Sequence, residues 1–146
     1  DAERLVLPGV GTFGAAMEAV DADALRRRNE RDAPTRAVSV GIQIKARGSE
    51  ESPRVPGHGV LPCEVTRFPR DVRVPQMGWN RVAYAFAYFA NSFRFTEAPA
   101  GWEAQWSDHG GPFVASLRRG RVWGCQFHPE LSGRYGARLL EEWLAC

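Results

Sequence analysis

The chain has 146 residues, 44% of them hydrophobic and 25% charged, with a formal net charge of +2, the size and balance of one globular domain with its own core. Its basic residues form no stripe, and the densest cluster, Arg26 to Arg28, reads as a solvated helix face, which excludes a nucleic-acid partner. No apolar run reaches the roughly 18 residues of a membrane span and no basic-then-apolar leader is present, so the expected location is cytoplasmic, with no membrane partner.

Leu5-Val6-Leu7 is a short apolar run closed by Pro8-Gly9-Val10-Gly11, and Phe13, Met17 and Val20 then recur at helical spacing toward Leu25. Strand, glycine turn and helix are predicted. After the charged stretch Arg26 to Asp32, Pro34 precedes Thr35 to Val40, β-branched enough for a strand, and Gly41 opens Ile42-Gln43-Ile44-Lys45-Ala46 as a sharp turn into a second helix. This alternation predicts an α/β domain with a mostly parallel sheet and flanking helices, its site at the carboxyl ends of the strands.

Gly48 to Pro75 is rich in proline and glycine and is expected to be loop with brief strands. Val82 to Phe95 alternates in places and suits a strand pair, with Ala83 to Tyr88 unassigned. Phe113 to Leu117 and Val122 to Phe127 flank Gly120 as a hairpin. Leu139, Leu140, Trp143 and Leu144 mark a terminal amphipathic helix over Tyr135 to Leu144. Cys63, Cys125 and Cys146 are odd in number and widely spaced, against both a disulfide framework and a zinc site.

His128 and Glu130 lie two apart just after the apolar run ending at Phe127, so in an extended segment both side chains leave the same face. A carboxylate beside an imidazole fixes its tautomer and stabilises the imidazolium formed when it takes a proton from a nucleophile. Taken alone, such a pair is a weak signal. Cys125 faces away from His128 by strand parity and is read as a small buried hydrophobe.

Four segments lift that pair out of the ordinary. They are Leu7-Pro8-Gly9-Val10-Gly11-Thr12-Phe13-Gly14, Val74-Pro75-Gln76-Met77-Gly78-Trp79-Asn80, His109-Gly110-Gly111-Pro112-Phe113 and Gln126-Phe127-His128-Pro129-Glu130-Leu131-Ser132-Gly133. In sequence and in order they resemble the glutaminase subunit of imidazole glycerol phosphate synthase, a class I glutamine amidotransferase. The resemblance implies that family's flavodoxin-like fold over residues 1–146 as a single domain, lacking an N-terminal strand-helix-strand. It also implies hydrolysis of glutamine to glutamate and ammonia, in histidine biosynthesis, for a cyclase subunit held as a heterodimer, with no cofactor and no metal.

The family's cysteine elbow aligns with Ala37-Val38-Ser39-Val40-Gly41-Ile42-Gln43, which puts Ser39 at the nucleophile position. By the same resemblance His128 is the base and Glu130 its partner, and the backbone of Val10 and Val40 forms the oxyanion hole. Gly11, Gln43, Glu51, Ser92 and Phe93 match positions that hold the glutamine, and Met77, Trp79 and Asn80 match the docking surface for the cyclase. Without the resemblance, Glu51 reads as part of a solvated loop.

The chain also departs from the family. A hydroxyl must be deprotonated during attack where a thiol readily becomes a thiolate, so glutaminase activity is expected to be severely reduced. Arg36 and Lys45 replace apolar residues, Ala37 replaces the elbow glycine, and Gln76 and Asn91 stand where histidine is usual. The absent opening strand is expected to leave exposed edges and a marginally stable product. Two other functions are open: an inactive module that docks on the cyclase, and a Ser-His-Glu hydrolase acting on an ester or peptide.

Overall fold

A computed structural model describes residues 3–9 and 11–145. In chain order the elements are β1 (Leu5–Leu7), α1 (Phe13–Ala19), α2 (Ala22–Glu30), β2 (Thr35–Val38), α3 (Val40–Gln43), β3 (Gly48–Ser49) and β4 (Glu64–Arg67). There follow β5 (Gln76–Val82), β6 (Ala85–Asn91), β7 (Phe93–Arg94), β8 (Glu103–Asp108), β9 (Pro112–Arg119), β10 (Val122–Cys125), a 3-10 turn (Pro129–Leu131) and α4 (Gly133–Leu144).

The main sheet runs β1-β2-β10-β9-β8. β2 pairs in parallel with both β1 and β10, whereas β10 with β9 and β9 with β8 are antiparallel. The sheet is therefore mixed, with its parallel half at the end that carries β1. Side-chain alternation sorts residues between the two faces. Leu7, Ala37, Val114 and Leu117 pack with Leu25 of α2 on one face. Val38, Phe113, Ala115 and Cys125 pack with Tyr135 and Leu139 of α4 on the other.

Three local expectations are corrected. The helical spacing from Phe13 to Leu25 is split between α1 and α2, because the Asp21 carboxylate accepts from the N–H groups of Asp23 and Ala24 and starts a new helix there. The helix opened at Gly41 stops at Gln43 instead of reaching Ala46, since the carbonyls of Ile44, Lys45 and Ala46 are taken by the N–H groups of His58, Leu61 and Gly59. The strand pair between Val82 and Phe95 begins earlier, as the β5–β6 hairpin turning at Ala83 and Tyr84, with Ala83 at φ 50°. β8 was not anticipated, being a largely exposed strand with no apolar alternation.

Both substituted cations are buried. Lys45 is 1% exposed, its ammonium donates to Asn29 Oδ1 at 2.8 Å, and burial pushes its pKa down to about 8. Arg36 is 3% exposed in the middle of β2 and lies over the Trp123 ring, 5.5 Å from its centroid. No helix among the described residues is long and apolar enough to cross a membrane.

Candidate active site at the strand carboxyl ends

Because β1, β2 and β10 run parallel, the loop after β1, Ser39 after β2 and His128 beyond β10 emerge on the same rim. Ser39 has φ 49° and ψ −114°, a conformation that a residue with a Cβ adopts only when its surroundings enforce it. The enforcement is visible. Ser39 N–H donates to the Cys125 carbonyl at 2.8 Å. A Cβ on Gly9 would collide with the Val38 carbonyl and the Ser39 Cβ, and one on Gly41 would collide with the Leu7 carbonyl. Only glycine at both places lets β1 close on the turn. Val40, the first residue of α3, has no carbonyl within that helix for its N–H to bond.

His128 Nδ1 lies 2.9 Å from Glu130 Oε1. A carboxylate only accepts, so Nδ1 carries the proton and Nε2 keeps its lone pair for a nucleophile. The two side chains meet across the 3-10 turn on which Glu130 sits, not along an extended strand as the two-residue spacing suggested. The His128 backbone is clamped from both sides: its N–H donates to the Tyr88 carbonyl at 2.9 Å, and its carbonyl accepts from Ser132 Oγ at 2.6 Å. Among the described residues, Ser39 Oγ makes no hydrogen bond to His128.

Beside Ser39 lies a cavity of about 150 Å³ lined by Gly11, Ser39, Val40, Gln43, Glu51, Ala90, Asn91, Ser92 and Phe93. Every residue matched to the glutamine-holding positions is in that wall, with Ser39 and Val40. His128 and Glu130 are not, and Val10 lies outside the described residues. Two wall residues are already engaged. Glu51 Oε2 accepts from the Phe13 N–H at 2.7 Å, capping α1, and Gln43 Nε2 donates to the Phe93 carbonyl at 3.2 Å and to Gln126 Oε1 at 2.9 Å.

Sequence reasoning missed Asn91 and Ala90 as part of the wall. Asn91 donates from Nδ2 to the Phe93 carbonyl at 3.0 Å, while its Oδ1 is buried without a partner among the described residues. The signal was a polar residue ending the apolar strand Ala85–Asn91, next to Ser92 and Phe93. Cys125 is buried, its sulfur 3.7 Å from Arg36 Nη2, and burial outweighs that cation and pushes its thiol pKa up to about 11.

On β5, Met77 and Trp79 are 67% and 59% exposed. The Trp79 ring packs edge-on to Tyr88 with centroids 6.1 Å apart, which holds it upright on the surface. Asn80 points the other way: its Nδ2 donates to the Asp108 carbonyl at 2.8 Å and ties the hairpin to β8.

Known proteins resemble this chain over nearly its whole length. A family model, glutamine amidotransferase class-I, matches residues 2–145. The HisH subunit of imidazole glycerol phosphate synthase from Thermus thermophilus is 42% identical over 96% of this chain and 76% of its own length. The chloroplastic imidazole glycerol phosphate synthase hisHF of Arabidopsis thaliana is 35% identical over 99% of this chain and 28% of its own. Among solved structures, one described as a glutamine amidotransferase superposes with a TM-score of 0.73 at 22% identity, over 99% of this chain and 80% of that one. The chain therefore belongs to the class I glutamine amidotransferases, in the family of the HisH subunit of imidazole glycerol phosphate synthase.

Proposed function

We propose that the chain binds L-glutamine in the cavity beside Ser39 and docks on a cyclase subunit as half of a heterodimeric imidazole glycerol phosphate synthase, with amide hydrolysis slowed by serine at position 39. The supporting observation is a shared rim: a strained Ser39 in the wall of a polar cavity, and an oriented His128–Glu130 pair outside that wall, follow neighbouring parallel strands.

In this reading the residue-39 side chain attacks the amide carbon while His128 Nε2 takes its proton. The carbonyl oxygen becomes an oxyanion facing the N–H group of Val40. Collapse breaks the C–N bond, and His128 returns the proton to the departing ammonia. Water then attacks the acyl group, passing a proton to His128; the ester bond breaks, the proton goes back to Ser39 Oγ, and glutamate leaves. The first step is where serine falls short. A thiol of pKa about 8.5 ionises beside an imidazole, whereas the hydroxyl loses its proton only as it attacks.

Binding needs charge complementarity at both ends of the amino acid. Glu51 uses one oxygen on α1 and keeps the other for an α-ammonium, while Ser92 and nearby backbone N–H groups suit the α-carboxylate. Met77 and Trp79 supply exposed anchors for the cyclase. The same exposure favours a second reading, in which docking persists and hydrolysis is lost altogether.

The test is glutamate release in the presence of the cyclase subunit. Ser39→Cys is expected to exceed the unaltered chain by roughly 100-fold or more. If both are silent while the complex still forms, the docking reading stands and the glutaminase reading fails.

A further inference from the structure

A second cavity, of about 290 Å³, lies between α4 and strands β2, β10, β9 and β8, and shares no lining residue with the one beside Ser39. Its volume is at the small end of ligand sites, about 300 Å³ and upward. The floor is buried and apolar apart from one group, Arg36, which sits among Trp123, Gly124 and Phe127.

Arg36 is under-satisfied there. Its Nη2 reaches the Cys125 sulfur at 3.7 Å, and its Nε is buried with no hydrogen-bond partner. Among the described residues no carboxylate lies within ion-pairing distance of it. Two acids also line the cavity: Glu142, which pairs with Arg138 at 2.9 Å, and Glu103, which is solvent-exposed and lies opposite Arg118 in register. A buried guanidinium is costly unless an anion or an aromatic face answers it, and here only the Trp123 ring does so, 5.5 Å away. Arg118 also lines the cavity, over the same indole at 4.4 Å from its centroid, on the strand at the other side of Trp123.

We propose that this cavity binds a small organic anion, its carboxylate or phosphate group paired with Arg36, its short apolar body laid against Phe127 and Leu139, and Arg118 adding positive charge at the rim. Guanidinium groups match planar and tetrahedral oxyanions through paired N–H donors, and the Arg36 side chain lines the cavity with no oxygen acceptor on its guanidinium among the described residues. The site is independent of glutamine binding, so neither assignment depends on the other.

The experiment follows the arginine Nε–H resonances of the full chain by NMR while benzoate or inorganic phosphate is added at low salt. Saturable perturbation of Arg36 Nε–H is expected, with benzoate binding more tightly than phosphate because only benzoate has an apolar body. Arg36→Met is expected to weaken benzoate at least 10-fold, and Arg118→Met several-fold. The second variant alters an exposed side chain, so it carries the comparison if the first does not fold. The proposal fails if neither probe saturates, if phosphate alone binds, if a folded Arg36→Met keeps its affinity, or if L-glutamine competes with benzoate.

Discussion

At Ser39 the backbone is held at φ 49° by neighbours on either side, chiefly the Gly9 turn and the Cys125 carbonyl. Gly9→Ala is expected to destabilise the fold by about 2–4 kcal/mol, since its Cβ has nowhere to go without moving Val38 or Ser39; urea denaturation measures this, and an unchanged midpoint would contradict it. Lys45 gives a pH signature. Its folded pKa of about 8 lies below the unfolded 10.5, so above about 8 the unfolded chain holds more protons and stability rises with pH. Above 9 the thiols of Cys63 and Cys125, both pushed up to about 11 from 9.0, act in the opposite sense. The clean window is therefore about pH 8 to about pH 9, where the unaltered chain should gain about 1 kcal/mol that Lys45→Met does not. Ser39, His128 and Glu130 could be matched to family positions because they sit in short distinctive strings. The engagements of Glu51 with Phe13 and of Gln43 with Gln126 were not legible in the sequence, because they join positions 38 and 83 apart that only folding brings together.

Among the elements, those with their own signals were readable. The hairpin at Gly120 pairs Val122 with Arg119 and Cys125 with Ser116, as the flanking apolar runs indicated, and α4 buries Trp143 while Leu144 remains exposed. The break between α1 and α2 also had a signal, Asp21 followed by an acidic first turn, but the apolar spacing continued through it. Asp21→Ala should lower the thermal unfolding midpoint, with loss of helical signal confined to α2. The early stop of α3 carried no local signal, because what ends it is the segment 57–61 capturing its carbonyls. β8 lacked one too, since an exposed edge strand has only one buried side chain, Ser107, to leave a pattern.

For the whole molecule, the parallel half of the sheet brings Ser39 and His128 to one rim, while β5 and β6 pair only with each other, are tied to β8 and His128, and turn Met77 and Trp79 outward. Trp79→Ala should weaken association with the cyclase about 10-fold or more and leave the unfolding temperature nearly unchanged; titration calorimetry and a thermal melt separate the two effects. In the proposed function, position 39 faces bound glutamine and is the nucleophile that attacks it. An electrophilic glutamine analogue, added to the chain and to Ser39→Cys and followed by peptide mass spectrometry, tests it directly. The label is expected on position 39 of Ser39→Cys, faster than in the unaltered chain and blocked by excess L-glutamine. Label on Cys125 or Cys63, or none on Ser39→Cys, would contradict it.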